Sequence, residues 1–286
     1  MENLVHYLYR YIHRQYLLRL FQRNHRLLPC PTIVNVENVL EDLSRQNITI
    51  IPDEVDEIEV NQFRRDAEYE FYYPNYYSNR ELVRLKKIRE HYIAARLLNL
   101  TNSDIYIDLA SQFSPAPQVY EHLYGCKVLR QDYEYPYGIH GRVMGGSAGA
   151  IPLPDNSITK GAMHCSLEHF EGDEDIALFH ELERILIPNG LFVIVPLYLS
   201  NNYFIMTDPR QYIDLPRNNW PIFDPEAIMY KSNGGNRHEK YYDVEHFTKR
   251  IMKKTRLKLT VHSFGVDSSY SLGQMRFAAV FEKQAD

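Results

Sequence analysis

Between residues 104 and 281 the apolar positions change rhythm again and again, and the changes predict alternating strands and helices. Residues 105–109 are a short apolar run ending near Asp108, and Ser114-Pro115 then suits the start of a helix over about 115–124. Residues 127–130 read as a second strand closing at Asp132, and a Tyr- and Gly-rich loop (133–141) leads to a short strand near Val143. A turn at 151–157 precedes a buried strand at 158–163, an amphipathic helix at 173–186, and the Pro188-Asn189-Gly190 turn into a strongly apolar strand at 191–196. A helix at 244–253 and strands at 257–262 and 276–281 complete the pattern. Strands alternating with helices predict an α/β fold built on a parallel sheet.

The first hundred residues carry a different pattern. Residues 3–28 read as one basic, aromatic helix with arginines recurring at four-residue spacing (Arg10 and Arg14, Arg19 and Arg23), ended by Pro29 and Pro31. Such a helix suits an anionic membrane surface; packing on its own domain or on a second copy of the chain is the plainer alternative. A short helix at 35–45, a short strand at 48–51 and an acidic stretch at 53–59 follow. Residues 70–79 place Pro74-Asn75 between Tyr72, Tyr73, Tyr76 and Tyr77, a turn placed to close over a ligand. Residues 80–98 form a helix with apolar side chains at helical spacing. Residues 199–245 are polar and irregular, too long for a plain connection, and are expected to carry function or a subdomain. The expected division is an N-terminal helical extension (1–100) and a core domain (101–286) with that insertion.

Composition narrows the function. A net charge of −5 argues against a general nucleic-acid binder. Three dispersed cysteines, with no CxxC pair, suit reduced thiols in a cytoplasm and suggest no metal site. No apolar run reaches the ~18 residues a membrane span needs, and the first 30 residues lack a secretory signal. The 23 tyrosines suit a wet binding cleft, or simply fill space.

Two carboxylates, Asp108 and Asp132, fall at successive strand ends, a spacing close to the ~20 residues at which an acid meets a ribose in dinucleotide sites. Pyrophosphate sites need a glycine-rich turn whose backbone N–H groups approach the phosphates. From Asp108 to Pro117 there is no glycine, which argues against NAD, FAD or ATP. S-adenosylmethionine carries no phosphate, and Ala110, Ser111, Gln112 and Ser114 suit its amino-acid tail.

Four stretches then carry a family resemblance: DLASQFSP from Asp108, LRQD ending at Asp132, GGSAGAIPLPDNSIT from Gly145, and HCSLEHF with FHELERILIPNGLFVIVPL further on. Together they resemble a class I S-adenosylmethionine-dependent methyltransferase with a domain-11-like core, over about 104–197. The resemblance implies a Rossmann-like, doubly wound, mostly parallel sheet with an antiparallel last strand. It also implies that Asp108, Ala110, Ser111 and Gln112 surround the methionine tail, that Asp132 holds the ribose, that Ser147 and Ala148 lie along the adenine, and that His164 and Ser166 border the sulfonium and the acceptor. The chain departs from the family where Ala110, Gln112 and Ser114 stand for glycines and Ser147 for an acid. Since alanine disfavours positive φ, the turn is expected to take a different path.

Methyl transfer is mainly a matter of positioning, and a base is needed only for an acceptor with a proton of high pKa. His164, Glu168 and His169 are the candidate bases; Tyr73, Tyr76, Tyr198 and His238 are candidates for gripping the acceptor. The acceptor is expected to be polar, a glycan sugar or a small natural product. A non-catalytic partner protein that has lost its cofactor is the alternative, and a membrane-surface enzyme using residues 3–28 is a third reading.

Overall fold

The computed structural model describes residues 2–24, 26–31, 33–232, 234–265, 269–271 and 274–285. In chain order the elements are α1 (Glu2–Asn24), β1 (Ile33–Asn35), α2 (Val36–Arg45), β2 (Thr49–Asp53), α3 (Glu57–Asp66), α4 (Tyr69–Tyr72), α5 (Glu81–Leu98), β3 (Ile105–Leu109), α6 (Ala116–Tyr124), β4 (Lys127–His140), β5 (Val143–Gly145), β6 (Ile158–His164), α7 (Glu174–Ile185), β7 (Leu186–Val195), β8 (Phe204–Thr207), β9 (Ile228–Lys231), β10 (Glu239–Tyr241), α8 (Val244–Arg250), β11 (Lys258–Phe264), β12 (Ser269–Ser271) and β13 (Phe277–Glu282). Several helices start on a side chain that accepts a free N–H of the first turn: Asn35 for α2, Asp56 for α3 and Asp243 for α8.

Eight strands form the central sheet in the order β2-β11-β13-β7-β6-β3-β4-β5. Its ladders are parallel except at β13, which runs antiparallel to both β7 and β11, and at the end of β4. Alternation divides each strand between two cores. Ile107, Leu109, Met163, Phe192 and Ile194 face α7, while Tyr106, Ala162, Val193 and Val195 face α5 and α6. The sheet is therefore doubly wound.

Four sequence expectations change at this level. The helix predicted over 3–28 stops at Asn24, because Leu28 leaves to bridge Tyr230 and exchange backbone hydrogen bonds with β9. The strand predicted at 48–51 is β2, which pairs in parallel with β11. A boundary at residue 100 thus runs through the sheet. The 133–141 loop is part of β4, which bulges after Asp132 and returns along β5. A Cβ on Gly145 would collide with the carbonyl oxygens of Tyr135 and Pro136, so only glycine lets this return pass so close. Finally, the irregular 199–245 stretch holds a second, three-stranded sheet, β10-β8-β9.

That small sheet is tied to the core by charge. Asp175 of α7, fully buried, accepts from Lys240 Nζ at 3.0 Å, from Arg250 at 3.0 Å and from the Tyr242 hydroxyl. The two cations and the hydroxyl offset Asp175's burial and hold its carboxyl below the ordinary range. The second half of α1 packs Phe21 against Tyr212, Trp220 and Phe223 of the same insertion, while Leu8, Tyr11, Ile12 and Tyr16 stay exposed. Among the described residues no helix is long and apolar enough to cross a membrane.

Candidate functional site

In an open parallel sheet, ligands bind where neighbouring strands send their connections to opposite faces. Here that point lies between β3, whose chain continues into α6 on one face, and β6, whose chain continues into α7 on the other. A cavity of about 920 Å³ opens there. Its walls come from the turn after β3, from the 72–77 segment, from Lys87 and His91 on α5, and from His164, Cys165 and Ser166 at the end of β6.

The turn does not take the different path its composition predicts. Ala110 sits at φ +52 and Gln112 at φ +37, both left-handed, as the glycines they replace would allow. Left-handed backbone costs a side-chain-bearing residue roughly 1–2 kcal/mol, so something must hold it. The holders come from β4. Gln131 accepts from Ala110 N at 3.2 Å through its side chain and from Ser111 N at 3.0 Å through its carbonyl. Asp132 accepts from Gln112 N at 2.8 Å, and Gln112 O receives Arg130 at 2.8 Å and the Tyr135 hydroxyl. Surrounding hydrogen bonds override local preference.

The cavity floor is buried and polar. Asp108 Oδ1 accepts from the Tyr106 hydroxyl at 2.9 Å, while Oδ2 has no partner. Burial pushes the Asp108 carboxyl up to about 7, against the opposing pull of the Tyr106 hydroxyl and Arg130. His164 Nε2 lies 3.5 Å from Asp108 Oδ1, and neither ring nitrogen of His164 has a hydrogen-bond partner. Burial, then the Lys87 charge, takes His164 down to about 3, so the contact is not an ion pair. His91, packed edge-on against it at 4.9 Å, is kept neutral by burial and bonds the Tyr69 hydroxyl at 2.6 Å. Behind the wall, buried Glu90 receives Lys87 at 3.0 Å and the Cys165 thiol at 3.3 Å; burial and Glu90 push that thiol up to about 12.

The sequence-predicted residues divide sharply. Asp108, Ala110, Ser111, Gln112, His164, Ser166, Tyr73 and Tyr76 line the cavity. Asp132, Ser147, Ala148, Glu168, His169, Tyr198 and His238 do not. Both Asp132 oxygens accept backbone N–H groups, from Gln112 and Glu134, each at 2.8 Å. Ser147 donates to Glu174 at 2.6 Å, and Ala148 is packed into the core. His169 is held at 2.8 Å by the His238 carbonyl, and Tyr198 receives Lys86 at 3.3 Å behind Cys165. Glu168 and His238 are buried away from the cavity; desolvation raises the first and lowers the second to about 4. Lys87, His91, Arg130 and Tyr135 line the cavity unforeseen. For Lys87 and His91 a signal existed, since with Glu90 they put polar groups at i, i+3 and i+4 on a helix read as an apolar stripe.

Residues 90–194 match the sequence model of the family described as Methyltransferase domain. By that match the span from α5 to β7 carries the sequence pattern of a methyltransferase domain. Solved structures similar to the chain include a protein of Pyrococcus horikoshii OT3, 18% identical over 76% of this chain and 99% of that one, with a TM-score of 0.48. Another is the Burkholderia thailandensis 1,6-didemethyltoxoflavin-N1-methyltransferase, solved with 1,6-didemethyltoxoflavin and S-adenosylhomocysteine. It is 11% identical over 83% of this chain and 94% of that one, with a TM-score of 0.46. No curated protein matches the sequence.

Methyltransferase domains of this class typically bind S-adenosylmethionine, and the residues present fit it at one end. The unpartnered Asp108 Oδ2 suits the ammonium of the methionine tail, beside the hydroxyl and amide groups of Ser111 and Gln112. At the β4 end the Tyr135 hydroxyl lies on Gln112 O and 3.0 Å from Ser111 Oγ, covering the turn. Among the described residues no group of His, Cys, Asp and Glu is arranged to hold a metal ion.

Proposed function

We propose that the protein transfers a methyl group from S-adenosylmethionine to an O or N atom of a polar small-molecule or glycan acceptor. The observation that carries this reading is the cavity at the switch point, which joins the turn after β3 to an aromatic wall. At about 920 Å³ it lies near the top of the ~300–1,000 Å³ range of small-molecule sites, room enough for two reactants. The cofactor would supply an electrophilic methyl group on a sulfonium. Asp108 would hold the tail ammonium, Ser111 and Gln112 the tail carboxylate, and Asp132 the ribose through the lone pairs its backbone partners leave free. Tyr73 and Tyr76 would grip the acceptor, whose apolar faces stack on rings while its hydroxyls meet their polar tips. The three unpaired cysteines suit work in a reducing cytoplasm.

Calorimetry with S-adenosylmethionine tests this. Binding that weakens about a hundredfold in Asp108→Asn supports the assignment, as loss of a buried charged contact does; no binding at millimolar ligand sinks it. Tyr135 favours a second reading, a binding protein whose nucleoside site is permanently filled by its own side chain. That reading requires Tyr135→Ala to bind no cofactor either.

A further inference from the structure

Three buried polar atoms on the cavity floor lack hydrogen-bond partners: Asp108 Oδ2, His164 Nδ1 and His164 Nε2. Folded proteins leave few such atoms, and each costs about 1–3 kcal/mol. Asp108 pairs with Ala162 across the β3–β6 ladder and His164 follows two residues on, so the two are diagonal neighbours at the strand ends on the face that Tyr106 and Ala162 share with α5. The groups around them are accounted for. Tyr106 donates to Asp108, Arg130 and Asp132 of β4 act on it through charge, and Lys87 and His91 of α5 and Tyr120 of α6 surround the imidazole without bonding it. His91 has its own partner in Tyr69, which leaves His164 as the cavity imidazole with both nitrogens available.

We propose that His164 and Asp108 form a proton-accepting pair, and that the acceptor atom is therefore a hydroxyl oxygen. The proposal rests on the methyltransferase reading and deepens it. Nε2 lies 3.5 Å from Asp108 Oδ1 without a hydrogen bond between them, and in the proposed pair the two close on a bound acceptor with Nε2–H toward Asp108 and the Nδ1 lone pair toward the acceptor. In the step, an oxygen lone pair forms the new O–C bond as the C–S bond breaks and its electron pair leaves with sulfur as a neutral thioether. The hydroxyl proton passes to His164 Nδ1, and the Asp108 carboxylate stabilises the imidazolium. A neutral amine is nucleophilic as it stands and can shed its proton after transfer, whereas a hydroxyl of high pKa reacts only as its proton is taken, which is the work this pair is placed to do. Burial alone leaves the imidazole a weak base, so the role requires the Asp108 carboxylate to stabilise the imidazolium as it forms. The rival bases fail on position, since Glu168 and His169 lie off the cavity.

The test is ¹⁵N NMR of histidine-labelled protein at pH 7, with the His164 signals assigned by loss in His164→Gln. The expected spectrum shows a neutral ring protonated on Nε2 with Nδ1 bare, and a tautomer balance that shifts in Asp108→Asn. An imidazolium at pH 7, or a ring protonated on Nδ1, overturns the pair. Calorimetry runs alongside, and His164→Gln is expected to bind S-adenosylmethionine within about threefold of wild type. A loss beyond tenfold would make His164 a cofactor ligand and overturn its role as base. Wild type that binds no cofactor despite the expected tautomer defeats the methyltransferase reading itself, and the acceptor assignment with it. The wrong tautomer in a protein that does bind cofactor defeats the pair alone.

Discussion

The two ends of the turn after β3 are built from the same short stretch of chain but treated in opposite ways. At the cavity end, Asp108 and His164 keep three buried atoms without a protein partner, a standing cost that a bound ligand would relieve. At the β4 end, Gln131, Asp132, Arg130 and Tyr135 answer the backbone groups so fully that the turn keeps a left-handed path without glycine. One end is poised for a ligand; the other is self-sufficient. The difference shows that a left-handed turn can be held without glycine when hydrogen bonds from a neighbouring strand supply what backbone freedom otherwise would.

Substitutions at each end should behave differently. The largest effect is expected at Asp108. Its folded pKa of about 7 lies above the unfolded value, so the native state holds an extra proton between about pH 4 and 7, and stability is lost as pH rises through that window. Asp108→Asn should match wild type near pH 4 and exceed it at pH 8 by up to about 4 kcal/mol in denaturant titrations. Equal stability at both pH values would mean Asp108 is not strained by burial. At the other end Asp132→Ala should destabilise by about 3 kcal/mol at pH 7, because two backbone N–H groups lose their side-chain acceptor. Tyr135→Phe, which removes only the hydroxyl on Gln112 O and Ser111, should cost about 1 kcal/mol. Ala110→Gly should stabilise by about 1 kcal/mol through relief at φ +52. A loss of stability there would show that the left-handed turn is not under strain.

The sequence carries some of this plainly. Short strands alternating with amphipathic helices predict the parallel sheet, and Asp108 reads as a strand-end carboxylate, because both follow from local periodicity. What escapes local reading depends on distant chain. β2 is an ordinary short apolar run whose place beside β11 is decided by packing two hundred residues away. The strands of the insertion are only three or four residues long and lie scattered through a polar stretch, and the sheet they form is tied to the core where Asp175 gathers Lys240, Tyr242 and Arg250. The φ of Ala110 runs against the residue's own preference, since four side chains from another strand outweigh it. Asp132 reads as a ribose ligand by position, and its oxygens also hold the turn through two backbone N–H groups, a second engagement that spacing along a chain does not report.

The most direct test is a calorimetric titration of S-adenosylmethionine into wild type and Tyr135→Ala at neutral pH. The account predicts saturable binding in both, tighter in the variant by about tenfold, the equivalent of roughly 1.4 kcal/mol no longer spent displacing the hydroxyl. Absence of binding in both proteins would contradict it, and would leave the Asp108 end without the ligand its unpartnered atoms call for.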